Sequence, residues 1–163
     1  MKNLVTIIAL LLTASTHAIP TSSAEPGFGD WNRTCATGEN GKELCQITQV
    51  TQQSDSDDLL FDITVAYLPD ARSPVVFLTA PLGMYLPRGI TIKLSDETLM
   101  TVAVQRCTEA GCLAVTTLDE AFLEEMQRAT EGLFVFGRNA EQNVGVPLSL
   151  NGFAEALASI APN

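Results

Sequence analysis

The 163-residue sequence is poor in the side chains on which most catalytic and nucleic-acid chemistry depends. It has one histidine, one tryptophan, two tyrosines, and nine lysines and arginines against nineteen aspartates and glutamates. The histidine, His17, lies within "MKNLVTIIALLLTASTHA", where a basic residue, an apolar run and small residues ending in alanine follow one another. That order is expected of a secretory signal peptide and is too short and wrongly flanked for a membrane span. Cleavage after Ala18 or after Ala24 meets the small-residue requirement. Residues 1–24 are thus read as the signal peptide and 25–163 as one exported domain, long enough for a sizeable core.

Removing residues 1–24 takes away His17 and Lys2, so the exported part has no histidine and eight basic residues facing nineteen acidic ones, a formal charge of −11. Without histidine the usual general base and the commonest neutral metal ligand are gone. The acidic balance repels nucleic-acid backbones and anionic lipid surfaces, and no Lys/Arg cluster reverses it locally. No later apolar segment approaches the ~20 residues that cross a bilayer, so stable membrane insertion is not expected. The expected location is the periplasm or the exterior, with peripheral association with the outer membrane as the nearest link to lipid.

What remains for catalysis is thin. Neither "SxxK" nor "GxSxG" occurs, and the glycines of "PLGMYLPRG" lack the spacing and lysine of a phosphate cradle. Paired carboxylates can cleave glycosides, so a carboxylate-dependent hydrolase or a small-ligand-binding protein is the alternative to a non-enzyme. Asp30 in "FGDWNRTC" is the one acidic residue in a conspicuous setting. It is expected to bond to turn backbone near the first disulfide while Trp31 packs. Asp55, Asp57 and Asp58 crowd the loop "TQQSDSDD" but lack the glycine and late glutamate of a calcium loop. No cofactor and no metal are expected.

All four cysteines, Cys35, Cys45, Cys107 and Cys112, fall in the exported part, where an even number reads as two disulfides. Three connectivities are possible; the local pairs Cys35–Cys45 and Cys107–Cys112 are favoured because each brackets turn-forming residues. Glu39, Asn40 and Gly41 can reverse the chain inside the first, and Gly111 can take a positive φ inside the second. Zinc knuckles do not suit nine residues between Cys35 and Cys45, and a redox pair wants Cys-x-x-Cys at a helix start.

Short alternating runs predict strands at Glu43 to Val50, Leu59 to Leu68, Pro74 to Ala80, Ile90 to Leu94, Leu99 to Cys107 and from Cys112, with two more in "GLFVFGR" and "NVGVPLSL". Two helices follow from capping and periodicity. The first runs from a Thr117 cap, with Glu120, through Phe122 and Met126 towards Gly132. The second is capped by Ser149 or Asn151 and buries Phe153, Ala156, Leu157 and Ile160. Phe134 and Phe136 are expected in the core. The fold class is mainly β: an antiparallel sandwich or partly open barrel of about eight strands with two short helices and two disulfides.

Six features in one order, "FGDW", a cysteine four residues after Trp31, "LCQITQ", "PLGMYLPRGI", "QRCTEAGCLAVTTL" and "VPLSLNGFAEAL", resemble the bacterial invasion-associated locus B family over about Gly27 to Ile160. The four cysteines resemble its cysteine pattern, and Gly83, Gly89, Gly152 and Phe153 its backbone and packing signatures. No agreed molecular activity comes with membership, so the resemblance implies no catalytic residues. The function expected from the chain as a whole is that of an exported, non-catalytic envelope protein that binds an envelope or surface protein; the resemblance adds a host-interaction role in pathogenic relatives. Met84, Tyr85 and Leu86, apolar and set in a Pro/Gly-bounded loop, are the candidate binding surface.

Overall fold

The structure is a computed structural model and describes residues 27–38, 41–52, 59–69 and 71–162. The signal-peptide segment, Glu39, Asn40 and the acidic loop of Asp55, Asp57 and Asp58 lie outside the described residues. Ten strands form two antiparallel sheets. β1 (Asn32–Thr37), β2 (Glu43–Gln52), β3 (Leu59–Ala66), β4 (Val75–Ala80), β7 (Val104–Thr108) and β8 (Gly111–Thr117) make a six-stranded sheet in the order β1-β2-β3-β4-β8-β7. The other sheet joins β5 (Ile90–Lys93), β6 (Leu99–Val102), β9 (Glu131–Gly137) and β10 (Asn143–Ser149) in the order β10-β9-β5-β6. No described strand pair closes one sheet onto the other, so the molecule is a sandwich and not a barrel.

The two sheets face each other through alternating apolar residues, as strand pleating requires. Phe61, Ile63 and Val65 of β3, Val76 and Leu78 of β4, and Ile90 and Ile92 of β5 are fully buried. Phe61 stacks on Phe134 of the opposite sheet at 4.0 Å between centroids and tilts against Phe136 at 6.2 Å. Both β9 phenylalanines are therefore core, as their spacing predicts.

Two strands more than expected are present, for separate reasons. β1, "NRTCAT", is an edge strand with no fully buried position and gives no apolar alternation to read. The single strand expected from Leu99 to Cys107 is divided at Ala103, where the chain leaves the four-stranded sheet and enters the six-stranded one. Gly89 packs under this corner: a Cβ there would lie 2.4 Å from the Val102 carbonyl oxygen.

Both disulfides join directly opposed residues, Cys35 to Cys45 across β1–β2 and Cys107 to Cys112 across β7–β8, with Cα separations of 4.0 and 3.9 Å. Gly111 carries the positive φ (129°) that the second hairpin needs. Each staple holds an edge strand of the six-stranded sheet to its only neighbour.

The helices differ from expectation at their caps. α1 (Glu120–Arg128) is capped by Asp119, whose side chain accepts the Phe122 N–H at 2.8 Å. Thr117 cannot serve, because β8 runs through it. The helix stops at Arg128, short of Gly132, which belongs to β9. α2 (Phe153–Ile160) starts from Gly152 in the left-handed region (φ 82°) with no side-chain cap. Ser149 is still in β10, and a Cβ at Gly152 would meet the Phe28 carbonyl oxygen at 2.2 Å. Its buried stripe is Phe153, Ala156, Leu157 and Ile160, as the periodicity predicts.

Candidate interaction surface

The loop from Pro81 to Gly89 carries the sheet crossover from β4 to β5. Gly83 and Gly89 adopt positive φ (88° and 65°), and Leu86–Arg88 close a single 3-10 turn with Pro87 inside it. Tyr85 donates its N–H to the Gly137 carbonyl at 2.7 Å, and Arg88 donates to the Asn143 side chain at 2.7 Å and to the Ala140 carbonyl. Gly137 has no room for a side chain, since a Cβ would come within 3.1 Å of both Arg88 Cδ and Tyr85 Cβ. The loop is thus tied to the β9–β10 hairpin at several points.

Met84 is a correction to the expected surface: its side chain is buried in the core and anchors the loop. What projects is Leu82, 57% exposed, with Leu86 at 47% and Tyr85 at 36%. Of the three residues expected to face solvent, Tyr85 and Leu86 do so and Met84 does not, while Leu82 of the same loop is exposed. Apolar alternation could not make this distinction, because the loop has no strand or helix period.

A concavity of about 760 Å³ is an open groove at the ends of β5, β9 and β10, between Lys93–Asp96, Thr130–Leu133 and Pro147–Ser149. It holds two carboxylates, Asp96 and Glu131, so it is the place to look for hydrolytic chemistry. Asp96 is almost fully exposed and paired with Lys93 at 2.7 Å, and the Lys93 ammonium lowers its pKa. A general acid needs the opposite shift. The described aspartate whose carboxyl is held above its ordinary range is Asp62, raised by burial and partly offset by the Thr64 hydroxyl. It lies on β3, away from the groove lining. The groove therefore gives no support to a carboxylate-dependent hydrolase. Glu43 sits beside the Cys35–Cys45 sulfurs, but these are bonded to each other and offer no thiolate to a metal.

A third feature joins the two ends of the domain. Gln49 of β2, buried to 6% exposure, reaches across to the edge of β10. Its amide donates to the Ser149 carbonyl at 2.8 Å and accepts the Ser149 N–H at 3.0 Å. One side-chain amide thereby completes the ladder bonds of an edge residue. Trp31 donates its indole N–H to the same carbonyl at 3.2 Å and packs against Phe153 at 4.9 Å. Asp30 accepts the Ser149 hydroxyl at 2.6 Å. It serves this seam and not turn backbone near the first disulfide. Gly29 and Gly152 let the two backbones touch: a Cβ on Gly29 would stand 2.5 Å from the Asn151 carbonyl oxygen. Sequence reading singled out "FGDW" and "SLNGF" separately; only the fold shows that they meet.

These features define a small disulfide-stapled β-sandwich in which the Phe28–Trp31 segment is locked to the end of β10 and the sheet crossover displays leucines to solvent. The chain belongs to the Invasion associated locus B (IalB) protein family, whose profile it matches over residues 31–161. It is similar to the invasion protein B homologs of Brucella abortus strain 2308 and of Brucella abortus biovar 1 strain 9-941. Each is 22% identical over 152 residues, covering 91% of this chain and 87% of the relative. The crystal structure of invasion associated protein B from Bartonella henselae shares the fold, with a TM-score of 0.73 at 20% identity over 85% of this chain and 95% of that one. These relatives are named for invasion and not for an enzymatic activity. Among the described residues no helix is long and apolar enough to cross a membrane.

Proposed function

We propose that the protein is an exported, non-catalytic component of the bacterial envelope that recognises an envelope or surface protein through the Pro81–Gly89 loop. The observation that carries this reading is the contrast within the loop. Its backbone is tied down by Met84, Tyr85 and Arg88, while Leu82 and Leu86 point outward. Ordering a loop in order to expose leucines gives the fold nothing, but a pre-ordered apolar anchor binds with less loss of conformational freedom. The family supports the reading through relatives named for invasion. The binding step asks nothing of acid–base chemistry, which suits an exported chain without histidine.

The test is site-specific photo-crosslinking in the living bacterium, with a photoreactive residue at position 82 or 86 and a control at Glu155 on α2. Discrete adducts from 82 and 86 but not from 155 are expected. No adduct from the loop, or the same adducts from all three positions, would overturn the proposal.

A further inference from the structure

The outward face of the six-stranded sheet is a second surface that the fold leaves open. Register places three rows of side chains across it. Thr34, Gln46, Ala66, Val75 and Thr117 form one; Asn32, Thr48, Thr64, Phe77 and Val115 the next; Val50, Asp62, Thr79 and Leu113 the third. The opposite faces of the same strands hold the buried Ile47, Ile63, Val65, Val76, Leu78 and Ala114. Both helices lie elsewhere: Phe153 of α2 packs on Trp31, in the core.

In a chain of formal charge −10, Asp62 is the only carboxylate in these three rows, and the only other charge is the exposed Arg106, which pairs with Leu113 where the third row reaches β7. A solvated sheet face normally alternates charged and polar residues outward. Here most outward positions are threonine, valine, leucine and phenylalanine, and the exposure of the apolar ones ranges from 8% at Val75 to 49% at Val50.

We infer that this face is a self-association surface on which a second copy of the chain packs sheet against sheet. The occupant follows from charge. An acidic protein attracts basic partners to its charged surfaces, whereas a neutral face fits a neutral partner. Two copies of an acidic chain approach with least repulsion where each has fewest carboxylates. The packing is the one the domain already uses internally, with flat pleated faces about 10 Å apart, and it is self-complementary under a two-fold axis. Five strands at ~4.8 Å and three same-face residues at ~6.8 Å give about 500 Å² per copy, which reaches the lower bound for a specific interface. The dimer is therefore weak and reversible. Asp62 is its one carboxylate to desolvate, with Thr64, Val50 and Thr79 as its neighbours on the face and Arg106 at the β7 edge of the same row. This inference does not rest on the loop reading.

Sedimentation velocity on residues 19–163, from micromolar to millimolar protein, tests it. A reversible dimer with Kd between about 10 μM and about 1 mM is expected. Val50→Lys, at a half-exposed position that leaves the fold intact, raises Kd at least about tenfold, and Asp62→Asn lowers it severalfold. Leu82→Ser with Leu86→Ser leaves it unchanged. A monomer throughout the range would overturn the inference. So would a dimer that ignores Val50→Lys, or one that the loop substitutions dissociate.

Discussion

The seam around Ser149 and the loop around Tyr85 are built from similar materials to different ends. Both use glycines at close backbone approaches, both have a hydrogen bond linking distant segments, and both anchor a large side chain in the core. In the seam the large groups point inward: Gln49, Trp31 and Phe153 are buried and the Ser149 backbone is satisfied on both sides. In the loop the anchors point inward while Leu82 and Leu86 do not. The difference separates what holds the domain together from what the domain displays, and substitutions in the two regions should separate the same way.

The largest effects belong to the seam. Trp31→Ala removes a fully buried indole, its packing on Phe153 and a bond to Ser149, and should lower stability by about 3–5 kcal/mol in chemical denaturation. Gln49→Leu keeps the volume but leaves the Ser149 N–H without its acceptor and the carbonyl without one donor, a loss of about 2–4 kcal/mol. Cleaving either disulfide by a Cys→Ala pair should cost about 2–3 kcal/mol, since the bridged segments are short.

A smaller effect carries a pH signature. Burial raises the Asp62 pKa in the folded protein above its ordinary value, so the native state holds this proton more tightly than the unfolded chain does. That contribution favours folding fully below the ordinary aspartate pKa of about 3.9 and fades as pH rises through the raised value. Asp62→Asn should therefore stabilise the protein at pH 7 and lose that advantage in acid. A stability gain independent of pH would contradict this assignment. The smallest effect on folding is expected at the loop tip, where Leu82→Ser with Leu86→Ser should shift stability by no more than about 0.5 kcal/mol per site. The same pair should abolish the loop's crosslinks in cells.

Much of the sandwich was legible because its strands alternate. β5 buries every second residue, as β4 does from Val76 and β8 from Cys112 to Ala114, and the local disulfides follow from the turns they enclose. What could not be read had no local signal. β1 is an exposed edge strand made by its pairing partner and its cysteine. The break at Ala103 is a change of sheet, which the continuous run "LMTVAVQRC" does not announce. Gly152 displaced the expected polar caps because of Phe28, a neighbour more than a hundred positions away in sequence. The inward direction of Met84 had no signal either, because a Pro/Gly-bounded segment has no period from which to infer direction.

The measurement that bears most directly on this division of labour is competition for the adduct formed at position 86. Unlabelled wild-type protein should suppress it, while the Leu82→Ser, Leu86→Ser protein, with an unchanged melting temperature, should not. Equal suppression by both would contradict the account, because recognition would then reside outside the two leucines that the loop holds in solvent.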